Sequence, residues 1–164
     1  MMRQTLLKGQ VLSFTDTPFE HDPAATASLT TDGGVLINED KIIAVAPASD
    51  LLRKVPEATV HDYGDRLIMA GFVDAHAHYP QTAIIASWGK RLIDWLKSYT
   101  FPEEMRFADP EYAAVIAARY LDLTAQNGTT TMASFATIHP AGVDAFFIAA
   151  QTRGQRVVCG KTCM

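Results

Sequence analysis

The residues best suited to chemistry are His76 and His78, which stand two apart in the run FVDAHAHYPQ over residues 72–81. A β-strand sends alternate side chains to opposite faces, so Asp74, His76 and His78 are predicted to share one face. Each buried polar group costs about 1 to 3 kcal/mol without a partner, and one divalent metal ion can satisfy two imidazoles together. The spacing therefore favours a metal site, although carbonyls, carboxylates or water also satisfy imidazoles.

A change of pattern near residue 66 divides the chain into two predicted parts. Before it lie short β-type runs separated by turn residues, at 5–14, 34–37, 41–46 and 58–63. Residues 15–33 are rich in Thr, Asp, Pro and Gly and are predicted to form an exposed loop. Residues 1–66 are thus predicted to form a small β-rich N-terminal domain, arranged as a β-sandwich or a meander.

Beyond residue 66 strand and helix patterns alternate, which is typical of an α/β fold with a parallel sheet. Strands are predicted at residues 66–74, 129–135 and 156–163. Asp109 and Pro110 open a helix that ends at Asn127 and Gly128, and a second helix stops at Gly154. The helical period places four residues of the first helix on its buried face: Val115, Ala118, Leu121 and Ala125.

Three strands are too few to close a (β/α)8 barrel, which has eight strands and about 250 residues. Residues 67–164 are therefore predicted to be either an open three-layer domain or the front portion of a longer protein, with its barrel incomplete.

Composition excludes several kinds of partner. The 164 residues are 48% hydrophobic and 20% charged, as in an ordinary globular chain. The formal charge of −4 and the scattered Lys and Arg predict no nucleic-acid or membrane partner. A secretory leader and a membrane-spanning run are not expected, which favours the cytoplasm. Cys159 and Cys163 are interpreted as reduced packing residues, with a catalytic thiol as the less favoured reading.

Four separated blocks carry a family resemblance. LIMAGFVDAHAH resembles the first-strand signature of the amidohydrolase superfamily. HAHYPQ, LIDWLKSYTFPEEMRF, NGTTTMASFATIH and GQRVVCGKTCM are similar to its guanine deaminase family in order and spacing. The resemblance covers about residue 67 to the end of the chain and implies the opening three β/α units of a TIM-like barrel.

The resemblance implies a zinc-dependent hydrolase that converts guanine to xanthine and ammonia, with one Zn²⁺ per subunit. His76 and His78 match the family's zinc ligands. His78, Tyr79, Pro80 and Gln81 match its substrate-binding loop, and Gln81 is the best candidate for an amide contact to the base. Ala70 departs from the proline that usually precedes the glycine of the motif, a change that touches no ligand.

The remaining parts of the family's site have no counterpart in this chain. Two further metal-binding histidines, an acid/base glutamate, an arginine and an aspartate all come later in the family. We therefore expect no catalytic acid/base residue and no activity in the isolated chain, and His139 is only a minor candidate for a substitute ligand. The alternatives are an amidohydrolase of another heterocycle or amide, and a non-catalytic remnant; exposed apolar faces would allow a homodimer.

Overall fold

The computed structural model describes residues 4–163, and the chain divides into two compact units, Met1–Ala70 and Gly71–Met164. The predicted strand over residues 66–74 is wrong, because it is two strands separated at residues 69–71. Leu67 and Ile68 pair with Gln10 and Val11, so this stretch completes the sheet of the first unit. The division falls at Ala70 and not at residue 66, where the sequence pattern changes.

The first unit contains one four-stranded sheet. Its elements are β1 (Thr5–Phe14), α1 (Pro23–Thr26), β2 (Ala27–Asn38), β3 (Lys41–Pro47), α2 (Ala48–Lys54) and β4 (Thr59–Ile68). The strand order is β3-β2-β1-β4, in which β1 and β4 are parallel and the other neighbours are antiparallel. Helix α2 supplies Ala48 and Leu51 to a small core with Leu6 and Leu36.

The predicted loop at residues 15–33 is wrong beyond residue 22, since α1 occupies Pro23–Thr26 and β2 begins at Ala27. Leu29 and Thr30 pair with the long strand β1, and this pairing overrides a local sequence with weak alternation. Gly33 is required by that pairing, because a Cβ there would lie 2.6 Å from a methyl carbon of Val11. Residues 4–70 form a single sheet within the described range, so the sandwich stays a prediction.

The second unit has the α/β order that the sequence predicts. Its regular elements are β5 (Phe72–His78), α3 (Leu92–Trp95), α4 (Phe101–Met105), α5 (Pro110–Gln126), β6 (Thr129–Phe135), α6 (Pro140–Arg153) and β7 (Arg156–Gly160). The three strands are parallel in the order β5-β6-β7. Helix α5 connects β5 to β6 and α6 connects β6 to β7, as parallel pairing demands.

Helix α5 begins and ends where the sequence predicts. The Asp109 side chain accepts a hydrogen bond from the backbone N–H of Glu111 at 2.9 Å, and Gly128 beyond its end has φ +84°. Its buried face is offset from the predicted one, because Val115 is 47% exposed and Ala125 is exposed. Leu121 is buried as predicted, and the other buried residues of the helix are Ala113, Ile116 and Ala117.

A π-helical turn, Leu96–Thr100, joins α3 to α4. The backbone N–H of Phe101 donates to the carbonyl of Leu96, five residues back. Pro102 in the first turn of α4 has no N–H to donate, and its ring crowds the preceding turn. The proline accounts for a widened turn at this point.

Three aromatic rings occupy the centre of the second unit's core. Tyr79 stacks on Phe146 with ring centres 4.5 Å apart and meets Phe107 edge to face at 5.6 Å. The core continues through small and aliphatic residues of α5, β6 and α6. Over residues 4–163, every helix is too short or too polar to cross a bilayer.

Candidate metal and substrate site

His76 and His78 lie together at the carboxyl end of β5. Their ring centres are 5.2 Å apart, in an edge-to-face arrangement. Both rings also contact Phe135 at the end of β6, with ring centres 5.4 Å and 5.0 Å away. The pair therefore occupies one face of the sheet, at the end where the parallel strands of α/β folds place their sites.

The geometry of this pair fits two ligands of one metal ion. Two imidazoles on a tetrahedral zinc, with Zn–N bonds of about 2.0 to 2.1 Å, have ring centres about 5 Å apart. Burial lowers the pKa of His78, and the neighbouring His76 lowers it further. A lowered pKa favours the neutral imidazole, which is the form that binds metal.

A third protein ligand is not found in residues 4–163, where no group of three or more His, Cys, Asp or Glu could hold a metal ion. His139 is the N-cap residue of α6, and its side chain makes no capping hydrogen bond. Its Nε2 is buried without a hydrogen-bond partner among the described residues. It does not join His76 and His78 in a three-ligand group.

Asp74 does not share the face of the histidines, contrary to the alternation predicted from the sequence. Asp74 pairs with Met132 and Ala77 with Ser134, so two residues of β5 stand opposite one of β6. Paired residues of neighbouring strands point the same way, and Met132 and Ser134 are both buried. This bulge turns Asp74 away from the histidine face, and its carboxylate accepts a hydrogen bond from the His76 backbone at 3.1 Å.

Tyr79 and Pro80, predicted to touch substrate, are buried. The Tyr79 hydroxyl donates to the carbonyl of Gly142, and its backbone N–H donates to the Ser134 hydroxyl at 3.0 Å. Burial raises the pKa of Tyr79 well above its usual range. The Tyr79 side chain anchors the loop that follows the histidines. A substrate could therefore contact this residue only through its backbone. The predicted substrate-binding role of Tyr79 and Pro80 stays a prediction.

Gln81 lies beside the histidines. A cavity of about 410 Å³ along the edge strand β5 is lined by His76, His78 and Gln81, together with residues of the segment 82–95 and of α5. The Gln81 side-chain nitrogen donates to Glu104 of α4 at 3.3 Å. Glu104 has no signal in the sequence that points to this contact, because 23 residues separate it from Gln81 and no local period connects the two.

The neighbouring polar residues have structural partners. Glu103 is buried, accepts a hydrogen bond from the Tyr112 hydroxyl and pairs with Arg106 at 3.1 Å. Burial raises the pKa of the Cys159 thiol to about 11, which disfavours the reactive thiolate. The reading of Cys159 as a packing residue agrees with this environment.

Comparison with known proteins gives the histidine pair its context. The profile of the Amidohydrolase family matches residues 67–164. The chain belongs to the amidohydrolase family. The matched stretch contains β5, both histidines, Gln81 and Glu104, so the whole candidate site lies within the family's region.

Relatives of this amidohydrolase chain include the guanine deaminase of Escherichia coli K12, which is 36% identical over 96% of the chain and 36% of its own length. A solved structure titled E. coli guanine deaminase superposes with a TM-score of 0.91 at 35% identity, covering 98% of this chain and 38% of that one. Another, of guanine deaminase from C. acetobutylicum with guanine in its active site, has a TM-score of 0.79 at 28% identity, covering 96% and 36%. The chain thus spans about a third of the length of these relatives.

Proposed function

We propose that this chain is the N-terminal portion of a zinc-dependent guanine deaminase, which hydrolyses guanine to xanthine and ammonia. The observation that carries the proposal is the His76 and His78 pair at metal-binding separation, with Gln81 lining the same cavity. Support also comes from the guanine deaminase of Escherichia coli K12, to which the chain is similar. The bound guanine in the C. acetobutylicum structure supports a small-molecule substrate of the same kind.

We propose for the fold that residues 71–164 are the opening three β/α units of a TIM-like barrel. The parallel order β5-β6-β7 with crossover helices supports this arrangement. The sheet of residues 4–70 would form part of a small β-sandwich. A cytoplasmic enzyme with one Zn²⁺ per subunit, in a homodimer, is proposed from the family resemblance.

In the proposed mechanism the chain holds the metal ion and orients the base. His76 and His78 would be two of the metal ligands. The Asp74 carboxylate accepts a hydrogen bond from the backbone N–H of His76 and so fixes the backbone of that ligand. The chemistry that zinc supplies when bound is the activation of water near neutral pH. Gln81 carries a donor and an acceptor that suit the mixed edge of a purine.

The acid/base group of the reaction is proposed to come from the part of the family's sequence that has no counterpart in this chain. Two imidazoles alone bind zinc weakly, because catalytic zinc sites use three or more protein ligands. We therefore expect this chain to bind zinc with low affinity and to turn over no guanine by itself.

A second candidate is a non-catalytic chain that only binds metal. It is favoured by the finding that no three-ligand group exists among residues 4–163. Zinc binding without guanine binding or turnover would support this candidate over the first.

The test is zinc binding, measured by isothermal titration calorimetry, with guanine binding and xanthine formation measured in parallel. Replacing His76 and His78 with alanine should abolish zinc binding. His61→Ala is the matched control, because His61 is exposed on β4 in the other unit. Unchanged zinc binding in the double variant would remove the basis of the proposal, and rapid guanine turnover by the wild-type chain would contradict the expected inactivity.

A further inference from the structure

Glu104 is a half-buried acidic side chain beside the proposed purine site. Its Oε1 accepts the hydrogen bond from the Gln81 side-chain nitrogen at 3.3 Å. Burial lowers the pKa of His78, and the Glu104 carboxylate partly offsets that effect, so the charge of Glu104 is close to the metal-binding end of β5. Glu104 also lines a cavity of about 200 Å³ with three apolar neighbours, Phe101, Met105 and Ile138.

The contact determines which end of the Gln81 amide faces Glu104. A carboxylate has only acceptors, whereas a glutamine amide has a donor end and an acceptor end. The nitrogen of Gln81 must therefore point towards Glu104, and its carbonyl oxygen and second N–H remain available to a ligand. Without such a partner the amide can turn by half a rotation and exchange the two ends.

We propose that Glu104 is a positioning residue, which fixes the orientation of the Gln81 amide and thereby selects the purine edge that the amide can bind. The inference rests on the proposed function, because it concerns the substrate of the same site. Guanine presents an acceptor oxygen at position 6 and a donor N–H at position 1, whereas adenine presents a donor followed by an acceptor. For a base that is held in one pose, a fixed amide suits one arrangement and opposes the other, whereas a freely turning amide suits both.

The first test observes Gln81 itself in the full chain, through the side-chain N–H resonances in ¹⁵N-edited NMR spectra. Glu104→Gln replaces the carboxylate with an amide that can offer either end, so the resonances of Gln81 should move. Glu103→Gln is the control, because it also removes one carboxylate from α4, but its partners are Tyr112 and Arg106. If Glu104→Gln does not fold, Glu104→Asp withdraws the carboxylate by one methylene and serves instead. Unmoved Gln81 resonances would overturn the inference.

The second test measures selectivity, by equilibrium dialysis of guanine and of adenine against the zinc-loaded full chain. Glu104→Gln should lower the preference for guanine over adenine by about two- to twelvefold, the value of one net hydrogen bond. A purely structural role would weaken both bases alike and leave the ratio unchanged, which would overturn the inference. If neither base binds while the Gln81 resonances respond to Glu104→Gln, the proposed function fails and the positioning of Gln81 by Glu104 stands.

Discussion

Tyr79 joins β5, the strand that carries the histidine pair, to the core of the second unit. It follows His78 directly, and its ring is fully buried between Phe146 and Phe107. Its hydroxyl bonds to the backbone of α6, and its N–H bonds to Ser134 of β6. Helix α6, strand β6 and the stretch between α4 and α5 therefore set the position of the loop that carries Gln81.

Tyr79→Phe should lower the free energy of unfolding by about 0.5 to 1.5 kcal/mol, because the buried hydrogen bond from its hydroxyl to the Gly142 carbonyl is lost. Urea unfolding followed by circular dichroism measures the change. Tyr63→Phe is the control, since Tyr63 is exposed on β4 and should change stability little. An equal loss in both variants would contradict the anchoring role.

The raised pKa of Tyr120 makes the stability of the fold depend on pH. Burial, followed by the charge of Asp74, raises its pKa to about 12, whereas an unfolded tyrosine titrates near 10. Above pH 10 the unfolded chain releases this proton while the folded chain keeps it, so stability is full below pH 10 and is lost as pH rises towards 12. Urea unfolding at pH 8 and pH 11 should show this fall.

In the Tyr120→Phe variant the free energy of unfolding should fall less between pH 8 and pH 11 than in the wild-type chain. The fall should not vanish, because burial also raises the pKa of Tyr112 to about 12. Identical pH dependence in wild type and variant would contradict the assignment of Tyr120.

At the residue scale the sequence predicts the histidine pair but not its surroundings. His76 and His78 are two apart in a strand, and alternation alone places them on one face. Alternation fails for Asp74, because a bulge shifts the phase of β5 between Asp74 and Ala77. Glu104 was missed because its contact with Gln81 depends on how the intervening helices fold.

At the scale of elements, terminal residues decide where the helices of the second unit begin and end. Asp109 caps α5 with its side chain, and Gly154 ends α6 with φ +67°. Side chains other than glycine adopt this left-handed backbone at a cost of about 1 to 2 kcal/mol. The same two residues made both helices predictable from the sequence.

Gly154→Ala should lower the free energy of unfolding by about 1 to 2 kcal/mol for conformational reasons alone, since an added Cβ at this position meets no atom within 4 Å. Gly160→Ala is the matched control, because its Cβ would also meet nothing and its φ is not positive. Chemical denaturation of both variants checks the difference. Equal stability of the two variants would contradict the role of the left-handed position.

Elements were mispredicted where tertiary pairing overrides local sequence. Residues 27–33 carry loop-like composition but form a strand, because β1 pairs with them. The buried face of α5 is offset because packing against the aromatic core selects Ile116 and Ala117, and not the aliphatic Val115. Neither the strand pairing nor the choice of buried helix face can be recognised from a short stretch of sequence.

At the scale of the whole molecule, both sheets have edge strands with exposed apolar side chains. Ile42 on β3 is 67% exposed, and Val158 on β7 is 68% exposed. β3 and β7 are each at an edge of their sheet, where unpaired backbone groups can pair with another chain. Ile42 also lines an apolar cavity of about 430 Å³ on the first sheet, with Val45 and Phe14.

We expect the chain to self-associate as its concentration rises, measured by sedimentation velocity. The double variant Ile42→Lys, Val158→Lys should reduce association, because charged residues on edge strands oppose pairing. Lys54→Arg, which keeps its charge at an exposed position on α2, is the control. A compact wild-type monomer at every concentration would contradict the expectation.

The α/β class and the strand order along the second unit follow from the alternation of strand and helix patterns. The split at Ala70 was missed because residues 66–74 are apolar enough to resemble one strand, although Gly71 lies at the break. The pairing of Leu67 and Ile68 with Gln10 and Val11 assigns the first half of that run to the sheet of the first unit.

The π-helical turn at Leu96–Thr100 bears on how this site could diversify. One residue more or fewer in a helix rotates everything beyond it by about 100°. Shortening that turn by a single codon would swing the Glu104 carboxylate out of reach of Gln81 while leaving both histidines in place. The length of one turn, away from the histidine pair, would then change the proposed base preference without a substitution at His76, His78 or Gln81.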